Sequence, residues 1–188
     1  VDDTLRVVDK PGGLLAVPGR GPDRQDCLAA QVQARYPDAL IVHRLDMATS
    51  GLMVMARGQA AQRALSMAFA AREVDKRYIA VVAGRLEAPP ESWGIIDLPI
   101  IVDWPNRPRQ IVDHTMGKPS LTRWRVVAHD PASGTTRVEL EPVTGRSHQL
   151  RVHLAALGHP IVGDALYAPP AVQAQAPRLM LHACSLGF

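Results

Sequence analysis

Asp46 is a carboxylate in an unusual setting. It lies in the run His43-Arg44-Leu45-Asp46-Met47-Ala48-Thr49-Ser50-Gly51-Leu52, a polar turn between two apolar stretches. A carboxylate can attack as a nucleophile and form a covalent intermediate. It must then stay ionised where water is excluded. Burial alone raises its pKa, so a nearby cation has to lower it again. About a hundred residues later, Thr144-Gly145-Arg146-Ser147-His148-Gln149-Leu150-Arg151-Val152-His153-Leu154 gathers donors around a glycine turn. Arg146 is the first choice for a forked pair with the carboxylate, and Arg151 is its competitor. The plainer use of Asp46 is to cap its turn by accepting backbone N–H groups.

Tyr78 alternates with Arg77 and Ile79, so its ring faces the other side of a strand. Such a ring can stack on a base while its hydroxyl handles a proton, or it can be a core tyrosine with a satisfied hydroxyl. Asp103-Trp104-Pro105-Asn106-Arg107-Pro108-Arg109 combines an aromatic ring with two arginines. That combination suits an unpaired base and its phosphates, and also an ordinary surface loop anchored by Trp104. His148, His153 and His159 invite a metal reading. The first two are five residues apart, whereas zinc-binding helical histidines are four apart on one face, so no metal is expected. His148 and Gln149 are better suited to orienting the turn that carries Arg146. His43 reads as a packed, hydrogen-bonded histidine.

These residues need elements to aim them. Alternation predicts strands over Leu5–Lys10, around Asp46 at 39–42 and 52–56, and at Asp75–Val82. Strands over Leu121–Ala128 and Thr135–Glu141 should pair through the turn-forming 130–134 segment. Helical spacing covers 26–36, Gln59–Ala71 (with Ala60, Ala64, Leu65, Ala68 and Phe69 inward) and His148–Leu157, which Gly158 should cap. The stretch 86–119 reads as short strands in long loops, 168–177 as a loop, and 178–188 as a closing strand. Many strands with few helices predict an α+β fold with a largely antiparallel sheet.

Composition narrows the classes. The 188 residues are 47% hydrophobic, which suits one globular domain or two small lobes. No apolar stretch approaches the ~18 residues that span a bilayer, so no membrane partner is expected. Cys27 and Cys184 are too few for a disulfide framework, which fits a reduced, cytoplasmic protein. The net charge is only +3, yet Lys10, Lys76 and Lys118 are the only lysines, and the remaining cations are arginines that can fork onto phosphate or stack on bases. Val1 in place of Met sets the expectation that the chain starts upstream.

The two runs, in this order and spacing, resemble the signatures of the RluA-type pseudouridine synthases. Lys76-Arg77-Tyr78-Ile79-Ala80, Gly117-Lys118-Pro119, Gly158-His159-Pro160-Ile161-Val162-Gly163-Asp164 and Leu181-His182-Ala183 extend the resemblance over most of Pro11–Phe188. The resemblance implies a mixed sheet with a cleft across its middle and a single catalytic domain over 1–188, without an S4 domain. It implies Asp46 as the nucleophile that attacks a uridine at C1′ or at C6, with Tyr78 and Arg146 as its catalytic companions. Arg44 is expected to hold the space of a flipped-out base. Trp104, Asn106, Arg107, Arg109, His148 and Arg151 are expected to contact RNA. The 103–109 loop is similar to that of the branch that modifies a tRNA anticodon loop and large-subunit rRNA. The reaction is an isomerisation, so no cofactor is expected, and a monomer suffices. Relatives continue past the segment that ends here at Phe188, so the C-terminal end is expected to be incomplete. Besides a synthase restricted to large-subunit rRNA, two readings compete with this one. One is an RNA-binding protein that kept the fold without the chemistry. The other is a hydrolase, for which Glu139 and Glu141 would have to supply a second carboxylate.

Overall fold

Runs of alternating apolar residues become two sheets in the computed structural model, which describes residues 3–89 and 91–188. The chain divides into two units, 1–76 with 182–188, and 77–181.

The first unit starts with β1 (Leu5–Lys10), followed by α1 (Leu28–Arg35), β2 (Ala39–Ile41), β3 (Ser50–Arg57) and α2 (Gly58–Ala71). β3 is its axis. Met53, Val54, Met55 and Ala56 are almost fully buried, because a strand with neighbours on both sides and helices against it has no wet face. β1 pairs antiparallel with β3 from Leu5↔Ala56 to Lys10↔Gly51. β2 pairs antiparallel over Ala39↔Arg57 to Ile41↔Met55. Asp46 therefore sits in a longer connection, 42–49, rather than in a tight hairpin turn. α1 is shorter than 26–36 because Cys27 is its N-cap, with the thiol accepting from Ala30 N–H. Cys27 and Met55 share a small core with Ala29 and Ala39. The inward face of α2 differs from expectation: Ala60 and Ala64 are exposed, and Gly58, Ala61, Gln62, Leu65, Ser66, Ala68 and Phe69 are the partly covered positions. Gln62 turns inward because its amide donates to Ile41 O at 3.0 Å. That bond selects the helix rotation over two alanines that gain little from burial.

The second unit runs through β4 (Asp75–Ala83), β5 (Gly94–Asp97), β6 (Ile100–Val102), β7 (Gln110–Val112), β8 (Leu121–Asp130), β9 (Thr135–Pro142), α3 (Gln149–Ala156) and α4 (Pro170–Gln173). The described part of β4 in this unit pairs with β9 from Tyr78↔Leu140 to Ala83↔Thr135. β9 pairs with β8 through the expected hairpin, with a bulge between Val126 and Ala128. β5 closes the far side of β8, and β6 with β7 forms a separate two-stranded ribbon. α3 buries every residue from Gln149 to Leu154, and His159 N–H donates to Leu154 O past Gly158, which has φ 83°. The loop expected at 168–177 contains the single turn α4.

β10 (Leu181–Gly187) ends the chain, and within the first unit it runs parallel to β3 over His182↔Ser50 and Ala183↔Gly51. Gly51 has φ 120°, and a Cβ there would collide with the Ala183 backbone, so this close approach requires glycine. Most pairings are antiparallel and this one is parallel, so the fold is α+β with a mixed, mainly antiparallel sheet.

Candidate active site

The Asp46 connection is held from behind by a buried charge. Lys10 ends β1 with no exposed surface. Its Nζ donates to Pro11 O at 2.9 Å, Leu14 O at 2.8 Å and Met47 O at 3.0 Å, which uses all three ammonium protons. Burial pulls its pKa down to about 8, while the Asp46 carboxylate pulls it up. Gly13 N–H also donates to Met47 O, and Thr49 N–H to Asp46 O. Leu45 is buried and Asp46 half-buried, while Arg44 on the other side of Leu45 is exposed. His43 anchors the entry to the connection. Its Nε2 accepts from Val54 N–H at 3.0 Å, and its ring stacks on Phe69 at 4.5 Å. Burial lowers its pKa to about 4, so at neutral pH the ring is uncharged and able to accept.

In the second unit, the 144–149 turn is built around one buried amide. Gln149 Oε1 accepts from Thr144 Oγ1 at 2.7 Å and from Arg146 N–H at 3.0 Å. Its Nε2 donates to Leu121 O and Thr122 Oγ1, both at 3.0 Å. All four capacities of the amide are used, which fixes the backbone that presents Arg146. The Arg146 guanidinium is half-exposed, and its Nε lies 3.4 Å from Pro119 O. His148 caps α3 with φ 55°, a left-handed conformation that costs a non-glycine residue about 1 kcal/mol. The strain is held by a 2.6 Å contact between His148 Nδ1 and Tyr167 Oη. Tyr78 sits on β4 opposite Leu140, on the face away from Arg77, and is partly covered.

Trp104 through Arg109 are all exposed at the tip of the β6–β7 ribbon. Arg107 stacks over the Trp104 ring at 4.6 Å, and Asn106 Nδ2 donates to Asp103 Oδ2 at 2.9 Å. Arg151 departs from expectation. It is 4% exposed, and its Nε and NH2 donate to the two Asp164 oxygens at 2.7 and 2.6 Å. A guanidinium committed this way inside the fold braces the turn; it is not a surface contact for RNA. Glu139 and Glu141 do not form a hydrolase pair either. They form ion pairs with Arg77, Arg123 and Arg125 on the face away from Leu140, covered by Trp93, whose ring lies under all three arginines.

The sequence model described as RNA pseudouridylate synthase matches residues 4–156. The chain belongs to the RNA pseudouridylate synthase family. It is 53% identical over 182 residues to the Dual-specificity RNA pseudouridine synthase RluA of Escherichia coli K12, covering 97% of this chain and 81% of that protein. It is 52% identical to the protein of the same name from Yersinia pestis, covering 98% and 88%. Among solved structures, Human RNA Pseudouridylate Synthase Domain Containing 1 superposes with a TM-score of 0.80 at 33% identity, over 99% of this chain and 75% of that one.

This RNA pseudouridine synthase contains residues at the site that sequence reasoning missed. Lys10 gave one signal, a rare lysine immediately before Pro-Gly-Gly, but a fully buried lysine runs against the ordinary preference for exposure. Asp164 lay in plain view beside Gly163, yet nothing local paired it with Arg151. Tyr167 belonged to no motif. The three histidines have separate duties: His153 contacts Thr122 Oγ1 at 2.9 Å and Leu98 O at 3.0 Å, His159 contacts Ala83 O at 2.8 Å, and His148 contacts Tyr167. No helix among the described residues is long and apolar enough to cross a membrane.

Proposed function

We propose that this synthase isomerises a uridine presented in a loop of structured RNA, in both a tRNA anticodon loop and large-subunit rRNA, with Asp46 as nucleophile. The observation that carries the choice of RNAs is the 53% identity, over 97% of the chain, to an enzyme named for dual specificity. The roles of individual residues rest on chemistry. Asp46 is carried on a connection whose backbone Lys10 ties down, so its carboxylate can be aimed at little entropic cost. It attacks C1′ or C6, the N1–C1′ bond breaks, and the uracil turns. C5 then bonds to C1′, the carboxylate is released, the C5 proton leaves, and N1 takes up a proton. Atoms and electrons balance without an oxidant, a reductant or water. Arg146 is the ion-pair partner of the nucleophile, and Tyr78 stacks on the base and handles the C5 proton. Arg44, Trp104, Asn106, Arg107 and Arg109 bind the RNA, with Arg44 filling the space of the flipped nucleotide. A single catalytic domain over 1–188, acting as a monomer in the cytoplasm, completes the proposal.

Tritium release from RNA labelled at uridine C5 tests it, on an anticodon stem-loop and on an rRNA fragment. The wild type is expected to release tritium from both. Asp46→Asn is expected to lose at least about 1,000-fold in rate while binding RNA within about three-fold of wild type. Release by Asp46→Asn at the wild-type rate would remove Asp46 as nucleophile. Tight binding with no release by the wild type would leave an RNA-binding protein of this fold.

A further inference from the structure

Tyr167 joins two parts of the second unit through one oxygen. Its Oη accepts the N–H of Gln110, the first residue of β7 and the end of the exposed loop, at 2.8 Å. The same oxygen lies 2.6 Å from His148 Nδ1, two residues after Arg146. The ring is set between Arg109, 5.4 Å from its centre, and Arg151, 5.1 Å from it. The backbone beneath is fixed as well. Asp164 Oδ1 accepts from Leu166 N–H at 2.9 Å and Tyr167 N–H at 3.2 Å while holding Arg151 of α3. Burial holds the phenol pKa above its usual value, so the hydroxyl keeps its proton. With Gln110 N–H donating to Oη, the phenol proton is available to His148 Nδ1, which accepts it in the Nε2–H tautomer, and this contact holds the left-handed His148 backbone in place.

We propose that Tyr167 is a positioning residue that sets the register between the RNA-docking loop at 103–109 and the Arg146–His148 turn, through a hydroxyl shared by Gln110 N–H and His148 Nδ1. RNA seated on the loop is thereby presented at a fixed offset from Arg146. This rests on the reading of the 103–109 loop as an RNA contact. Contacts on the loop supply affinity, and the shared hydroxyl turns that affinity into productive alignment.

The test separates binding from chemistry. RNA affinity and single-turnover tritium release on an anticodon stem-loop are measured for wild type, Tyr167→Phe, His148→Asn, His148→Leu and Arg107→Ala, each with a melting curve. Tyr167→Phe keeps the ring between its arginines and removes only the hydroxyl. It is expected to hold Kd within about three-fold while the single-turnover rate falls about ten-fold, the effect of one or two hydrogen bonds. His148→Leu should be as slow. His148→Asn keeps an acceptor where Nδ1 was and tolerates the left-handed backbone, so it should recover the rate to within about three-fold of wild type. Unchanged rates in Tyr167→Phe would overturn the proposal. So would a parallel loss of affinity, rate and melting temperature, which marks a purely structural hydroxyl, or a His148→Asn as slow as His148→Leu. Arg107→Ala reports on the underlying reading: a Kd raised about five-fold or more supports the docking loop, and an unchanged Kd removes both the loop and the register claim, whatever Tyr167→Phe does.

Discussion

The connection carrying Asp46 and the turn carrying Arg146 solve one problem by opposite means. Each must hold an irregular backbone that displays a charged side chain. Around Asp46 the holding group is a single buried cation, Lys10, which donates to three carbonyls. Around Arg146 it is a neutral amide, Gln149, with two bonds donated and two accepted. The difference follows from what each backbone exposes. Around Lys10 the carbonyls of Pro11 and Leu14 after β1 and of Met47 in the Asp46 connection converge, and an ammonium is the side chain with three donors and no acceptor. Around Gln149 the 144–149 turn presents donors and the start of β8 presents acceptors, and an amide matches both. A buried ammonium also adds a positive field beside the Asp46 carboxylate, whereas an amide beside Arg146 adds no charge to oppose the guanidinium. The lesson is that a support can be chosen for electrostatic sign as well as for hydrogen-bond count.

Replacing the cation should break the comparison most severely. Lys10→Met keeps the volume, removes the ammonium donor from Pro11 O and Leu14 O, and leaves Met47 O with the Gly13 N–H. Stability is expected to fall by only about 2 kcal/mol, because burying the ammonium had its own desolvation cost. The rate of tritium release should fall about 100-fold, since the backbone holding Asp46 loses its anchor. Urea melts and single-turnover assays on the same preparation read both quantities. Lys10→Arg should not rescue the rate, because a planar guanidinium does not aim its donors as a compact ammonium aims them at the same three carbonyls. A Lys10→Met enzyme of wild-type rate would show that the connection holds itself. Gln149→Leu is the matching change on the other side. It takes the partner from Arg146 N–H and one bond each from Leu121 O, Thr144 Oγ1 and Thr122 Oγ1, which keep other partners, and about 2 kcal/mol of stability should go. Its rate loss should be smaller, about ten-fold, because no charge near Asp46, the proposed nucleophile, has changed. Equal rate losses in the two variants would erase the electrostatic distinction.

The same contrast explains what was legible in the sequence. Strand alternation located β1, β3, β4, β8 and β9 to within a residue or two, because each has one strongly apolar face or, in β3, two. Gly158 and the 130–134 turn were legible because backbone conformation restricts which residues fit there. The face of α2 was misread because alanine carries little information about burial, and the Gln62 bond to Ile41 O outweighed it. Asp46 was visible from its setting and from the motif around it. Its support was not, since Lys10 reaches Met47 across 37 positions of the chain. Arg151 looked like an RNA contact because an arginine beside a basic run carries no mark of its partner, and Asp164 lies on a different segment. Side chains that work by touching distant backbone leave no local pattern, and that is where sequence reasoning stopped.

The smallest expected effect concerns acid, and it tests whether neutral supports matter equally in both regions. His43 braces the Asp46 connection as an uncharged acceptor, with its pKa lowered by burial to about 4 from 6.5. His153 in the second unit is lowered in the same direction, again by burial. A folded-state pKa below the unfolded one means that, between the two values, the unfolded chain binds a proton the folded chain refuses. Stability therefore rises with pH across that window, and it falls as pH drops from about 6.5 towards 4. Between pH 7 and pH 5 the His43 contribution should come to about 2 kcal/mol, on a scale where one pKa unit is about 1.4 kcal/mol. His43→Gln keeps an acceptor for Val54 N–H and cannot titrate, so its urea-melt stability should change less over this interval, leaving the part due to His153. If His43→Gln follows the wild-type profile, protonation of His43 is not what acid does to the Asp46 region, and the brace there is the Phe69 stack rather than the Val54 hydrogen bond.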